Sequence, residues 1–473
     1  MVELTQVNSL PPEILIRIFH IVVAEPCELG LLLSDNNQHC PRHPDYLAQV
    51  CTLWRRIAIS SRSLWYHIDL SPNKPHAGDL VTRADTYLVR AGDLPIELHI
   101  AVKDTWHFEY DELYRLISLA SGRTVSLELN LEGPFRVFHH DIFGLLFRQR
   151  PALTKLVLRS NSDYCNNFLV PNSFDTTMTE EDLWPLELDS TEEDIERSFT
   201  LITVLYLRGI FPLWSSAAYR GLVDLRLLST GTWSHIREAE LIAILSSSPG
   251  LKILHFGLEI RDATPPIRRV NPVKLQDLQV VKIFPDIDIM TRTTLCPGSL
   301  LQLLAPGTKP LRLSFEGFYI HDAPTLNELE RFLTRSRVTR LYTQAVLPPL
   351  NLLLRHSNNM EQVVLDYFES SFHTQLGSNF IWLPEDEAAY LPRLKSLHVT
   401  RSALFDSELH ELLKCCPDGI VLNSCNIYRR IDVGYPATTL GAVEMIENFP
   451  TVRIIDHTPY PEAASTAEWD ILD

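Results

Sequence analysis

Apolar residues recur along this chain with two different periods. Near the start, Leu10, Ile14, Leu15, Ile18 and Phe19 follow helical spacing behind Ser9, a residue suited to capping, with Pro11 and Pro12 where a first turn tolerates a missing N–H. Leu47, Val50, Cys51, Trp54 and Ile57 form a second apolar stripe, with Arg55 and Arg56 on the polar side. The period changes after Leu70. From there a unit repeats: an apolar helical stretch, a break often holding proline, then a short alternating run of the form Leu-x-x-Leu-x-Leu. Arg150 to Leu158, Ser248 to Phe256, Leu391 to Val399, Cys416 to Leu422 and Phe449 to Ile455 all fit it. Proline lacks the helical N–H and drives the preceding residue out of the αR region, so it ends the helix before the strand begins.

Further strands are expected around Leu127, 202–207, 222–227, 275–280, 311–315, 338–341 and 360–365. Corresponding positions return at intervals of roughly 20 to 35 residues, a period that overlaps that of repeat architectures. A single unit cannot cover its own apolar face, so stacked units are expected to form a parallel sheet with helices on one side. The predicted class is α/β: a helical start followed by an irregular α/β solenoid. The expected boundaries are a helical domain over 1–70 with an insertion at 25–43, an array over 71–456 with an acidic insertion at 162–196, and an acidic tail over 457–473.

Two short helices cannot bury enough surface to stand alone, so the first segment reads as part of an interface. Its Leu10-Pro-x-Glu-Ile opening, Ile18-Phe19 pair, Val50-Cys51-x-x-Trp54 core and closing Leu64-Trp65 resemble the F-box. The later portion is similar to the degenerate leucine-rich repeats that follow the F-box in many substrate receptors, with Asn161 and Cys425 at the position of the usual Asn or Cys. The resemblance implies docking on a Skp-type adaptor, and through it on a cullin, in an SCF ubiquitin ligase. Leu10, Pro11, Ile14, Leu15, Ile18, Phe19, Leu47, Val50, Cys51, Trp54, Leu64 and Trp65 would form or support that surface, and the array would hold a protein substrate. An F-box scaffold that does not direct degradation, and a divergent α/β enzyme, are the alternatives.

Composition narrows the partners. Of 473 residues, 45% are hydrophobic and 21% charged, which is globular, and the net charge of −17 argues against a general binder of nucleic acid or anionic membrane. Eight scattered cysteines without framework spacing suit a reducing cytoplasmic or nuclear setting. Cys27, His39, Cys40 and His43 are zinc-competent residue types, but they lack a Cys-x-x-Cys pair and read better as a surface loop. Nucleotide-binding glycine loops, a nucleophile elbow and a His-Glu-x-x-His pair are absent from the sequence, so neither a catalytic residue nor a cofactor is expected.

Strand alternation nominates a second surface. If the paired leucines point into the core, the residues beside them face the other way. Lys155, Arg159, Tyr206, Arg208, Arg226, Arg312, Arg340 and Tyr342 are then candidates to hold an acidic or phosphorylated target segment, since arginine suits carboxylates and phosphates and tyrosine supplies rigid contact area.

Overall fold

The computed structural model describes residues 9–23, 43–71, 77–103, 111–132, 137–148, 153–160, 167–174, 184–230, 234–264, 271–284, 295–316, 323–344, 359–366, 394–416, 419–429, 438–455 and 470. The chain divides into two compact units, the first comprising residues 1–222 and 229–234 and the second 223–228 and 235–473. Among the described residues, no helix is long and apolar enough to cross a membrane.

The first unit opens with three helices, α1 (Pro12–Val23), α2 (His43–Val50) and α3 (Thr52–Ser60). Cys51 caps α3, its Sγ accepting from the Trp54 N–H at 3.4 Å. Leu15 and Phe19 of α1 are fully buried, and Phe19 meets the Trp54 ring at 4.8 Å. Strand β1 (His67–Leu70) follows, so the sheet begins inside the segment expected to be wholly helical. Helix α4 (Ala77–Ala91), β2 (Ile96–Lys103), α5 (Asp111–Ser121), β3 (Thr124–Glu132), α6 (Val137–Arg148) and β4 (Lys155–Ser160) alternate after it.

The acidic region expected as a solvated insertion contributes regular structure. Strands β5 (Asn167–Pro171) and β6 (Trp184–Leu188) pair in parallel, and α7 (Glu192–Phe199) buries Ile195 and Phe199. Thr191 caps α7 by accepting from the Asp194 N–H, and the acidic Glu192, Glu193 and Asp194 occupy the first turn, where the helix dipole favours them. The acidity is therefore partly a helix-start signal. Strand β7 (Val204–Arg208) completes the main sheet of this unit, and β8 (Ile210–Pro212) joins β5. Gly209, at φ +74°, makes the turn between them. A Cβ there would stand 2.7 Å from Thr230 Cγ2, so both conformation and space call for glycine.

All pairings β1-β2-β3-β4-β7 are parallel and in sequence order. Ile68, Leu98, Leu127, Leu156 and Leu205 share one register row, and Leu70, Ile100, Leu129, Leu158 and Leu207 share the next inward row. Each is essentially inaccessible. These are the paired leucines of the sequence motif, and they form the core of the unit.

The second unit repeats the plan with β9 (Asp224–Leu228), β10 (His235–Arg237), α8 (Glu238–Ser247), β11 (Ile253–Gly257), β12 (Glu259–Arg261), β13 (Val273–Leu275) and β14 (Val280–Ile283). There follow α9 (Pro297–Leu301), β15 (Leu304–Pro306), β16 (Leu311–Phe315), α10 (Ala323–Arg335), β17 (Val338–Gln344) and β18 (Gln362–Asp366). The described elements end with β19 (Ser396–Thr400), β20 (Ala403–Phe405), α11 (Asp406–Cys415), β21 (Ile420–Asn423), β22 (Asn426–Arg429), β23 (Thr438–Thr439), α12 (Ala442–Asn448) and β24 (Arg453–Ile455). Strands β9-β11-β14-β16-β17-β18-β19-β21-β24 form a parallel sheet, again in sequence order.

One expectation shifts here. The run 275–280 is not one strand: the Leu278 N–H closes a turn on the Leu275 carbonyl, and pairing resumes only at Val280. Three helices start alike, with Glu240, Glu408 and Glu444 each accepting from the backbone N–H three residues earlier, at Arg237, Phe405 and Gly441. The Cys425 thiol donates to the Val399 carbonyl at 3.1 Å. Asn161, residues 25–42 of the insertion and all of the tail but Asp470 lie outside the described residues; of the zinc-competent residues, only His43 lies within them.

Candidate functional site

Alternation works as the sequence implies: the residue between the paired leucines of each main strand occupies a row of its own. In the first unit this row reads Asp69, His99, Glu128, Val157 and Tyr206. In the second it reads Arg226, His255, Lys282, Ser314, Tyr342, Val364, His398, Val421 and Arg453.

Three successive strands of the second unit thus present Arg226, His255 and Lys282 side by side. Asp470, from the end of the chain, lies on all three. Its carboxylate accepts from Arg226 Nη1 at 3.0 Å, His255 Nε2 at 3.1 Å and Lys282 Nζ at 2.9 Å. Arg226 also forms a two-pronged pair with Asp224, at 2.8 and 2.9 Å. His255 and Lys282 are about 5% exposed, so these are shielded interactions. Burial opposes ionisation of Asp470, but hydrogen bonds and charge from His255 and Lys282 outweigh it and hold its pKa well below the usual carboxylate range. Burial pushes the His255 pKa down, although the Asp470 hydrogen bond works against it.

Farther along the row, Tyr342 is 1% exposed and donates to Asp366 at 2.6 Å. Asp366 also accepts from Thr400 at 2.7 Å and Arg401 at 2.9 Å. Here too burial opposes ionisation, and the donors Arg401, Tyr342 and Thr400 prevail, so the Asp366 pKa is lowered. Arg401 reaches the carboxylate from a left-handed backbone conformation, φ +47°.

The eight nominated residues therefore do not form one open surface. Tyr342 is core, and Arg226 is engaged by Asp224 and Asp470. Arg312 and Arg340 are register neighbours, half-buried, two residues before the central row. In the first unit, Arg159 pairs with Glu128 at 3.1 Å and lies over the Tyr206 ring at 4.7 Å, Lys155 is half-buried, and Arg208 is exposed beside Arg159 in register. His255 and Lys282 were missed. The signal was present: each occupies the same place in its Leu-His-Phe or Val-Lys-Ile triplet as Arg226 does in Leu-Arg-Leu.

The N-terminal helices offer a second candidate surface. Of the residues the resemblance singles out, Leu15, Phe19, Leu47, Leu64 and Trp65 are buried, and Trp65 donates its indole N–H to the Ala58 carbonyl at 2.8 Å. Leu10, Ile18, Cys51 and Trp54 are half-buried. Pro11, Ile14 and Val50 are exposed, Ile14 by 46% and Val50 by 60%. Ile21, Val22, Tyr46 and Ile59 are exposed as well. No protein-family model matches this chain, and neither does any curated protein.

Proposed function

We propose that this chain is the substrate-recognition subunit of an SCF-type ubiquitin ligase, in which the N-terminal helices dock on a Skp-type adaptor and the repeat array holds a protein target. The observation that carries this reading is the set of large apolar side chains left exposed on three short helices. Ile14, Ile21 and Val22 on α1, Tyr46 and Val50 on α2, and Ile59 on α3 surround a core already filled by Leu15, Phe19 and Leu47. Large exposed apolar residues on three short helices suit a permanent protein partner. The F-box resemblance of the same helices names the partner as the adaptor. The solenoid reading of the array belongs to the same proposal, supported by parallel strands that neighbour one another in sequence order within each unit.

The target's chemistry follows from the basic row. A site where arginine, histidine and lysine converge on one carboxylate suits an acidic segment, and Asp470 displays the geometry such a ligand would adopt. The chain itself then needs no catalytic group. Holding the target beside a conjugating enzyme raises its effective concentration there.

Capture of purified Skp-type adaptor by the wild type and by an Ile14→Ala, Val50→Ala double variant tests the adaptor half. Partly exposed side chains of this size bury roughly 1 kcal/mol each on docking, so affinity is expected to fall about 30-fold with folding unchanged. Equal capture by both proteins would sink the assignment. Stabilisation of cellular targets on deletion of the chain would separate a receptor from a scaffold.

A further inference from the structure

The first unit holds a cluster that neither the adaptor nor the target surface uses. His67 and Asp69 lie two apart on β1, and Glu97 and His99 two apart on β2. The register pairs His67 with Glu97 and Asp69 with His99, so the four side chains share one face of the first two strands. His67 Nε2 stands 3.1 Å from Asp69 Oδ1, and His99 Nδ1 stands 3.7 Å from the same oxygen. One ligand atom from each of His67, Asp69 and His99 falls within 4.8 Å of the other two.

His99 shows what is unusual. Its side chain is 8% exposed, yet neither ring nitrogen has a hydrogen-bond partner. A buried imidazole ordinarily satisfies both its donor and its acceptor.

We propose that His67, Asp69 and His99 bind a divalent transition-metal ion of the zinc class. Two imidazoles and one carboxylate are hard enough to exclude copper(I) chemistry and nitrogen-rich enough to disfavour magnesium and calcium. Tetrahedral zinc with ligand bonds of about 2.0–2.1 Å places its ligand atoms roughly 3.3 Å apart. The distances of 3.1 and 3.7 Å bracket that edge. His67 Nδ1 faces Glu97 Oε2 at 3.3 Å, the carboxylate–histidine arrangement that fixes the tautomer and turns Nε2 toward a metal. Three protein ligands leave a fourth position for water or for a donor from a partner.

The test is metal retention by the full chain. Wild type, His67→Gln, His99→Gln and Glu97→Gln are each dialysed against Zn2+ and titrated with a chromophoric chelator. The wild type should hold one equivalent more than either histidine variant, and Glu97→Gln should keep the stoichiometry but bind about 10- to 100-fold more weakly. Mg2+ and Ca2+ should not displace the ion. A wild type that surrenders all zinc at once, or a His99→Gln variant with the full complement, would overturn the site. Should the histidine variants not fold, Co2+ added to the wild type decides: visible ligand-field bands of a four- or five-coordinate N/O site support it, and their absence rejects it.

Discussion

Replacing Asp470 by asparagine removes one charge and leaves its shape nearly unchanged. Each cation near 3 Å attracts the carboxylate by about 5 kcal/mol at an effective dielectric of 20, and desolvation of several kcal/mol per ion offsets most of it. Breaking a buried pair costs roughly 3–5 kcal/mol. The Asp470 side chain is 20% exposed and asparagine can still accept a hydrogen bond, so the net loss should be nearer 2 kcal/mol. That is about a 30-fold rise in the undocked population at 1.4 kcal/mol per decade. Trimming by carboxypeptidase reads this population when opening is fast relative to cleavage. The variant's C-terminus should be trimmed about 30 times faster at pH 7. The pH dependence has a definite sign. Because the folded pKa is depressed, the stabilisation is complete above the unfolded aspartate value of about 4 and is lost as pH falls through the folded value. Wild type and variant should therefore differ equally at pH 7 and pH 5 and converge on further acidification, as followed by anisotropy of a C-terminal dye. Equal trimming rates at pH 7 would refute the idea that the charge of Asp470 holds the tail.

Other outcomes follow from the same geometry. Tyr342→Phe should lower stability by about 1–2 kcal/mol in urea, because it removes a donor to a buried carboxylate, and Asp366→Ala should cost more, since it strands Tyr342 and Arg401 together. Gly209→Ala should lower the melting temperature by several degrees, through about 1–2 kcal/mol of left-handed strain and the clash with Thr230. Leu15→Ala should destabilise the fold by roughly 2–5 kcal/mol in chemical denaturation, whereas Val50→Ala should leave stability nearly unchanged, because only the first is fully buried.

The alternating leucines made the main strands legible, since a period of two with one buried face leaves little freedom of register. The short strands β8, β12, β20 and β22 were not legible. Each has three or four residues, and those after Gly209, Arg401 and Ser424 follow closely on turns of positive φ rather than any hydrophobic run of their own. Burial within the N-terminal helices was also hidden. Ile14 and Leu15 are adjacent and equally apolar, but one is 46% exposed and the other buried, a distinction made by which side of α1 packs against α2 and α3 and not by residue type. Asp470 was beyond reach for another reason: no local pattern links a tail carboxylate to strand residues so far back in sequence.

That separation bears on synthesis. Arg226 and Asp470 are 244 positions apart, and at about 5–20 residues per second the arginine emerges from the ribosome roughly 12–50 s before its carboxylate exists. Throughout that interval the strands carrying Arg226, His255 and Lys282 can assemble while the row still lacks its anion. A nascent chain is thus open to acidic ligands, including acidic chaperone surfaces, until Asp470 has been made, and that residue closes the window.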